Sequence, residues 1–229
     1  MPFYVRHINK NKIFLLFIHG LMAFFSSKYS VFSTVWGWSV FIFGCYYIIK
    51  YRNRFNEVGI FSAYLVGLEI VLRMTKADLL WEFGKYGIII FLFLGLVMVN
   101  IKQHRTTILI IIYILSLLPS IFLVPIENLN QWRQLISFNL SGPLTLFVSF
   151  LYFRNRMMSE QEILNMFRAI LLPLISMSVI LAIRAPSMEN IIFGTEANFQ
   201  MSGGYGPNQV SSALGLVITI IALSKIHGY

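Results

Sequence analysis

Long apolar runs alternate with short polar breaks along this chain, and the runs have the length of a bilayer crossing. A transmembrane helix needs about 20 predominantly apolar residues, and about 17 at minimum. By that rule helices are predicted near 11–27, 31–49, 57–73, 84–101, 106–124, 134–153, 163–184 and 208–226. The fold class that follows is all-α, a polytopic transmembrane helix bundle of about eight spans. Residues 1–229 form a single membrane domain in this reading, with no soluble domain. The first run follows Arg6, Lys10 and Lys12, as in a signal peptide. The segment after it, AFFSSKYS, offers no small-x-small cleavage site, so the run reads as an uncleaved first span.

Composition agrees. Hydrophobic residues make up 57% of the chain and charged residues 12%, where a soluble domain carries about a quarter charged. A net charge of +9 would suggest nucleic acid in a soluble protein, but no aromatic-interleaved basic patch of that kind is present. In a bilayer the position of each cation matters more than the sum, because basic loops set orientation. With both termini cytoplasmic, the inner segments hold Arg6, Lys10, Lys12, Lys50, Arg52, Arg54, Lys102, Arg105, Arg154, Arg156 and Lys225, eleven cations. The outer segments hold six, namely Lys28, Arg73, Lys76, Lys85, Arg133 and Arg184. That bias faces the segment 184–209 outward. The single cysteine, Cys45, lies inside an apolar run and excludes a disulfide framework or thiolate metal cluster.

Inside the spans, Pro119, Pro143 and Pro173 each remove a backbone donor and are expected to kink the fifth, sixth and seventh helices. Gln134, Ser137, Ser141, Thr145 and Ser149 recur every three or four residues and share one helix face. Such a stripe serves either helix–helix hydrogen bonding, the favoured reading, or a wet cavity. Ser211, Gly215 and Thr219 are spaced for close helix approach. Glu69 lies well inside a span, with Arg73 one turn on, the spacing of an ion pair. Arg168, just inside the seventh span, reads as an anchor that snorkels to the headgroups. No internal repeat is apparent, and no Pro- or Ser-rich linker divides the chain.

The longest polar interruption is RAPSMENIIFGTEANFQMSGGYGPNQ, from Arg184 to Gln209. Gly203, Gly204 and Gly206 allow positive φ and exposed amides. Pro207 turns Gly206 away from helical angles, so a helix should begin near Asn208 with its positive end toward the loop. Arginine presents a planar fork that suits phosphate. Arg133 and Arg184, with Ser202, Gly203, Gly204, Tyr205, Gly206, Asn208 and Gln209, therefore form a candidate diphosphate site. P-loop, nucleophile-elbow and zincin patterns are absent. His7, His104 and His227 fall on the inner side and His19 within the first span, so no general base stands beside the loop and no catalytic residue is assigned. Asn139-Leu140-Ser141 matches a glycosylation sequon but lies inside a span.

QWRQLISFNLSGPLTLF (131–147), YFRNRMMSEQE (152–162) and NFQMSGGYGPNQVSSALGL (198–216) resemble the O-antigen ligase and O-antigen polymerase superfamily of bacterial multi-spanning transferases. The resemblance implies a donor glycan on undecaprenyl diphosphate, and an acceptor that is lipid A core or another glycan repeat. It implies a diphosphate held by outward arginines at the positions of Arg133 and Arg184. It implies no cofactor, since the leaving diphosphate is already activated and membrane-bound, and no nucleic acid partner. It places the protein in the bacterial inner membrane. The family's chains are longer and carry a histidine in an outer loop further on, so this chain reads as the N-terminal part of such a protein, incomplete as a catalyst. The alternative is a multi-spanning transporter of an anionic solute. Arginines confined to the outer rim favour the transferase, because a transport path should also be charged at mid-depth.

The orientation is checked by single cysteines in a Cys45→Ser background. On intact cells an impermeant maleimide should label Glu189→Cys and spare Asn155→Cys; the opposite pattern overturns the orientation.

Overall fold

The computed structural model describes residues 12–98, 106–119, 129–154, 156–186 and 199–226. Among the described residues there are eight helices and no strand. They are α1 (Lys12–Lys28), α2 (Ser30–Tyr51), α3 (Glu57–Met74), α4 (Phe83–Met98), α5 (Thr106–Leu117), α6 (Leu129–Phe153), α7 (Glu160–Arg184) and α8 (Pro207–Ile226). The all-helical class stands. Four helices are long and apolar enough to cross a membrane: α2, α6 over Gln131–Phe153, α7 and α8. Helices α1, α4 and α5 are apolar but shorter, and α3 carries Glu57, Glu69 and Arg73 along its 18 residues.

Several boundaries depart from the expected ones by three residues or more. Helix α7 starts at Glu160 rather than near 163, because Ser159 and Glu162 form a capping box. The Ser159 amide donates to Glu162 Oε2 at 2.8 Å, and the Glu162 amide donates to Ser159 Oγ. Helix α6 starts at Leu129, five residues before its first expected residue, since polar residues continue the helix beyond its apolar stretch. Helix α5 ends at Leu117, with a turn at Leu118 immediately before Pro119, which is itself helical. Pro143 and Pro173 do lie inside their helices. The basic residues Arg6, Lys10, Lys102 and Arg105, the position Asn155, His7, His104 and His227, and the loop 187–198 with Glu189 all lie outside the described residues.

The chain divides into two compact units. The first takes in the described parts of Met1–Phe41, Ala63–Leu79 and Ser159–Tyr229. Here α1 packs along α7, and α8 also packs on α7. Apolar burial alone does not select this packing, because lipid is as apolar as a neighbouring helix. Polar contacts do the selecting. Ser176 Oγ, fully buried, donates to the His19 carbonyl at 2.9 Å. The His19 ring donates from Nδ1 to the Leu15 carbonyl at 2.8 Å, an acceptor that settles the tautomer. Nε2 then accepts from the Tyr64 hydroxyl at 2.8 Å, and Tyr64 accepts from Trp36 Nε1 at 3.0 Å. Within this unit α3 also meets α7 closely. A β-carbon built on Gly67 would stand 2.6 Å from the Ile170 carbonyl oxygen and 2.7 Å from Pro173 Cγ. The expected Glu69–Arg73 ion pair is present, with Arg73 Nη2 at 2.9 Å from Glu69 Oε1.

The second unit takes in Ile42–Ser62 and the described part of Leu80–Met158. Helix α6 packs against α4 and α5. The stripe on α6 works as a helix–helix seam: Tyr86 hydrogen-bonds Ser137, and Lys85 donates to Ser141 Oγ at 3.3 Å. Thr145 instead donates back to the Ser141 carbonyl of its own helix. At one end of this unit Tyr152 bridges two buried asparagines of the α2–α3 turn. Asn53 Nδ2 donates to the Tyr152 hydroxyl at 2.7 Å, which donates to Asn56 Oδ1 at 3.1 Å.

Gly67→Val should force α3 and α7 apart, since backbone carbonyl and a proline ring cannot yield as a flexible side chain would. Overpacking of this kind costs about 1–3 kcal/mol. A lowered melting temperature of the purified protein in detergent is the expected reading, and an unchanged one refutes the close approach.

Candidate functional site

Where α7 ends, its last residue turns its guanidinium onto backbone oxygens of the first unit. Arg184 Nη1 donates to the Met74 carbonyl at 2.6 Å and to the Gly203 carbonyl at 3.1 Å. Nη2 donates to the Ser27 carbonyl at 3.3 Å. Met74 is the last residue of α3, and Ser27 lies in the last turn of α1. The carbonyls at a helix C-terminus lack intrahelical partners and carry the negative end of the helix dipole. One arginine thus satisfies acceptors at two helix ends and at the glycine turn. Two of its five N–H groups, Nε–H and one on Nη2, have no acceptor among the described residues.

The turn before α8 takes the form its glycines suggest. Gly203 and Gly204 adopt φ +70° and +80°, in the left-handed region where a side chain is strained. The Gly203 amide donates to the Gln200 carbonyl and the Gly204 amide to the Phe199 carbonyl, each at 3.1 Å. These two amides, expected to face outward, therefore close the turn itself. Ser202 is buried, and its hydroxyl donates to the Phe199 carbonyl at 2.8 Å and contacts the Tyr205 carbonyl. It holds the turn from inside and presents nothing to a ligand. Helix α8 opens at Pro207, one residue before the expected start. Proline suits a first helical position because its missing N–H would have no partner there. The Asn208 amide, next in the first turn, makes no hydrogen bond to the described residues, and Asn208 and Gln209 are exposed. Gln209 folds its amide oxygen back over Gly206, in the space a β-carbon would need.

A cavity of about 620 Å³ opens at this turn, lined by Arg184, Pro186, Gln200, Gly203 and Gly204. Its described lining offers one cation, one amide and bare backbone, with no carboxylate, imidazole or thiol. A guanidinium and an amide are groups that suit an anion. No group in the described lining takes or gives a proton. No protein-family model, curated protein or solved structure matches this chain.

The other predicted arginine, Arg133, belongs to the second unit, near the start of α6, and its side chain is exposed. Sequence reasoning missed a polar cluster in that same unit. Glu82 is fully buried, with Lys85 Nζ 2.8 Å from its Oε2. Lys85 also reaches Ser141 and lies 5.8 Å from the centre of the Phe138 ring, beside the Tyr86–Ser137 contact. The signal was available: two opposite charges three residues apart at the mouth of an apolar run, facing the α6 stripe. Sequence reasoning likewise chose Arg184 without its acceptors, which lie 157 and 110 residues away in the chain.

Removing the guanidinium should leave the Ser27, Met74 and Gly203 carbonyls short of a donor. Arg184→Gln is expected to cost about 1.5–3 kcal/mol, in line with hydrogen bonds from a charged group. The exposed Arg133→Gln should change stability by less than about 0.5 kcal/mol. Denaturant titration in one detergent compares them, and equal stabilities would show that the carbonyl contacts contribute nothing.

Proposed function

We propose that this chain holds the diphosphate of a lipid-linked glycan donor, as a transferase of the O-antigen ligase or polymerase type does. In this reading about eight spans cross the bacterial cytoplasmic membrane, with both termini on the cytoplasmic side. The turn before α8 then faces outward. The donor is a glycan on undecaprenyl diphosphate, and the acceptor is a second glycan or a lipid A core. The chain binds and orients the donor's diphosphate.

The observation that carries the reading is the state of Arg184. Three of its N–H groups are fixed on backbone oxygens, which locks the guanidinium plane, and it lines a cavity large enough for a ligand headgroup. A planar cation held in place loses little entropy on meeting a phosphate, and charge-assisted hydrogen bonds are the strong ones. The nearby start of α8 adds a helix dipole of the right sign and an unengaged Asn208 amide. Gln209, exposed, supplies a neutral amide for the remaining oxygens. The resemblance also gives Arg133 a role in holding the diphosphate, and its side chain is exposed.

Binding of undecaprenyl diphosphate and undecaprenyl monophosphate to the purified chain tests this. The diphosphate should bind more tightly. Arg184→Lys keeps the charge and loses the fork, so it should weaken diphosphate binding about tenfold, the equivalent of about 1.4 kcal/mol. Equal affinity for the two lipids, or wild-type diphosphate binding by a folded Arg184→Lys variant, rejects the proposal.

A further inference from the structure

The second unit carries a concentration of cations at one end that the proposed glycan chemistry does not use. Lys50, Arg52 and Arg54 lie on the α2–α3 connection, and Arg154 and Arg156 follow the end of α6. The two segments meet through the Asn53–Tyr152–Asn56 hydrogen bonds, so five basic residues from distant parts of the chain share one end of the unit. The junction is built. Arg52, Asn53 and Asn56 hold φ between +49° and +61°, in the left-handed region. Such backbone persists only where the surroundings over-determine it. Asn53 Oδ1 accepts from the Val58 amide at 3.1 Å, Asn56 Nδ2 reaches Met158 Sδ, and both asparagines are buried.

The cations also have an aromatic floor. Lys50 Nζ lies 5.2 Å from the Tyr46 ring centre and 5.6 Å from that of Tyr51, and donates to the Tyr46 hydroxyl at 3.1 Å. Arg54 lies 5.6 Å from the Phe55 ring centre, Arg154 6.0 Å from that of Phe150, and Arg156 5.1 Å from that of Tyr152. A ring beneath a guanidinium helps to orient it. Lys50, Arg52 and Arg54 are exposed, and among the described residues none of Lys50, Arg52, Arg54 or Arg156 forms an ion pair with a carboxylate. Glu57, at the same junction, is buried and accepts from the Phe55 amide. The ends of α2 and α6, both long and apolar enough to cross a membrane, place this cluster where acyl chains give way to headgroups.

We propose that this junction is a preformed binding site for the phosphate headgroup of an anionic phospholipid. The cations contact the phosphate, the exposed apolar flanks of α2 around Tyr46 and Ile49 meet the acyl chains, and the Asn53–Tyr152–Asn56 clasp holds the two basic segments in register. A lipid is the fitting occupant because phosphate recognition and an apolar flank coincide, which no soluble phosphate would use. Each basic side chain near an anionic surface contributes about a fivefold factor in affinity.

The test is a titration of the delipidated full chain in detergent with short-chain phosphatidylglycerol or phosphatidylcholine, read by native mass spectrometry. Phosphatidylglycerol should bind more tightly, by tenfold or more, with affinity falling as salt rises. The double variant Arg52→Gln/Arg54→Gln, altered only at exposed side chains, should lose about 25-fold of the phosphatidylglycerol affinity. Tyr152→Phe removes the clasp hydroxyl and no charge, and should lose affinity while the protein stays folded. Lys76→Gln, an exposed cation of the first unit, should behave as wild type. Equal binding of the two lipids, or wild-type binding by the double variant, overturns the proposal. Displacement of phosphatidylglycerol by an equal concentration of glycerol phosphate overturns the lipid as occupant.

Discussion

A buried backbone carbonyl in an apolar setting must find a donor, and in this chain that requirement falls hardest on helix ends. Within a helix the backbone satisfies itself, but the last four carbonyls have no partner further along. Water is scarce near a bilayer core, so the partner must be built from side chains. The first unit does this with one arginine. Arg184 reaches the ends of α1 and α3 and the turn that opens α8. Remove those contacts and several chain ends lose what positions them. The cavity wall at Gly203 is one of these, so the candidate site depends on the same interaction.

The second unit meets the same demand differently. Its polar contacts join side chain to side chain: Asn53 with Tyr152 and Asn56, Tyr86 with Ser137, Lys85 with Glu82 and Ser141. Close approach of helices is arranged by small residues in both units. In the second, a β-carbon on Gly95 would stand 2.6 Å from the Tyr152 ring, the same ring whose hydroxyl bridges the asparagines. Tyr152 therefore sets both how near α4 lies to α6 and how the basic turn is held.

Much of the helical layout was legible in the sequence because bilayer length and apolar runs constrain each other. The ends were less so. The expected start of α7 missed the Ser159–Glu162 pair, a local pattern that an apolarity rule does not weigh. The left-handed glycines could be read from SGGYGP, since only glycine takes that geometry without strain. The inward direction of the Gly203 and Gly204 amides could not, because it depends on the handed path of residues 199 to 204. The Glu69–Arg73 pair was readable, being one turn apart on one helix. The acceptors of Arg184 were not, for the opposite reason: sequence spacing carries no trace of a contact made between distant helices.

The seam between α1 and α7 bears on how the protein is made. Ser176 and His19 are 157 residues apart. At a ribosomal rate of about 5–20 residues per second, α1 waits about 8–30 seconds for its partner helix to be synthesised. During that wait the polar ring of His19 is not abandoned to lipid. Tyr64 follows it by 45 residues and Trp36 arrives sooner still. The hydrogen-bonded chain His19–Tyr64–Trp36 can hold the first three helices together as a nascent intermediate, and α7 then docks on a surface that is already assembled.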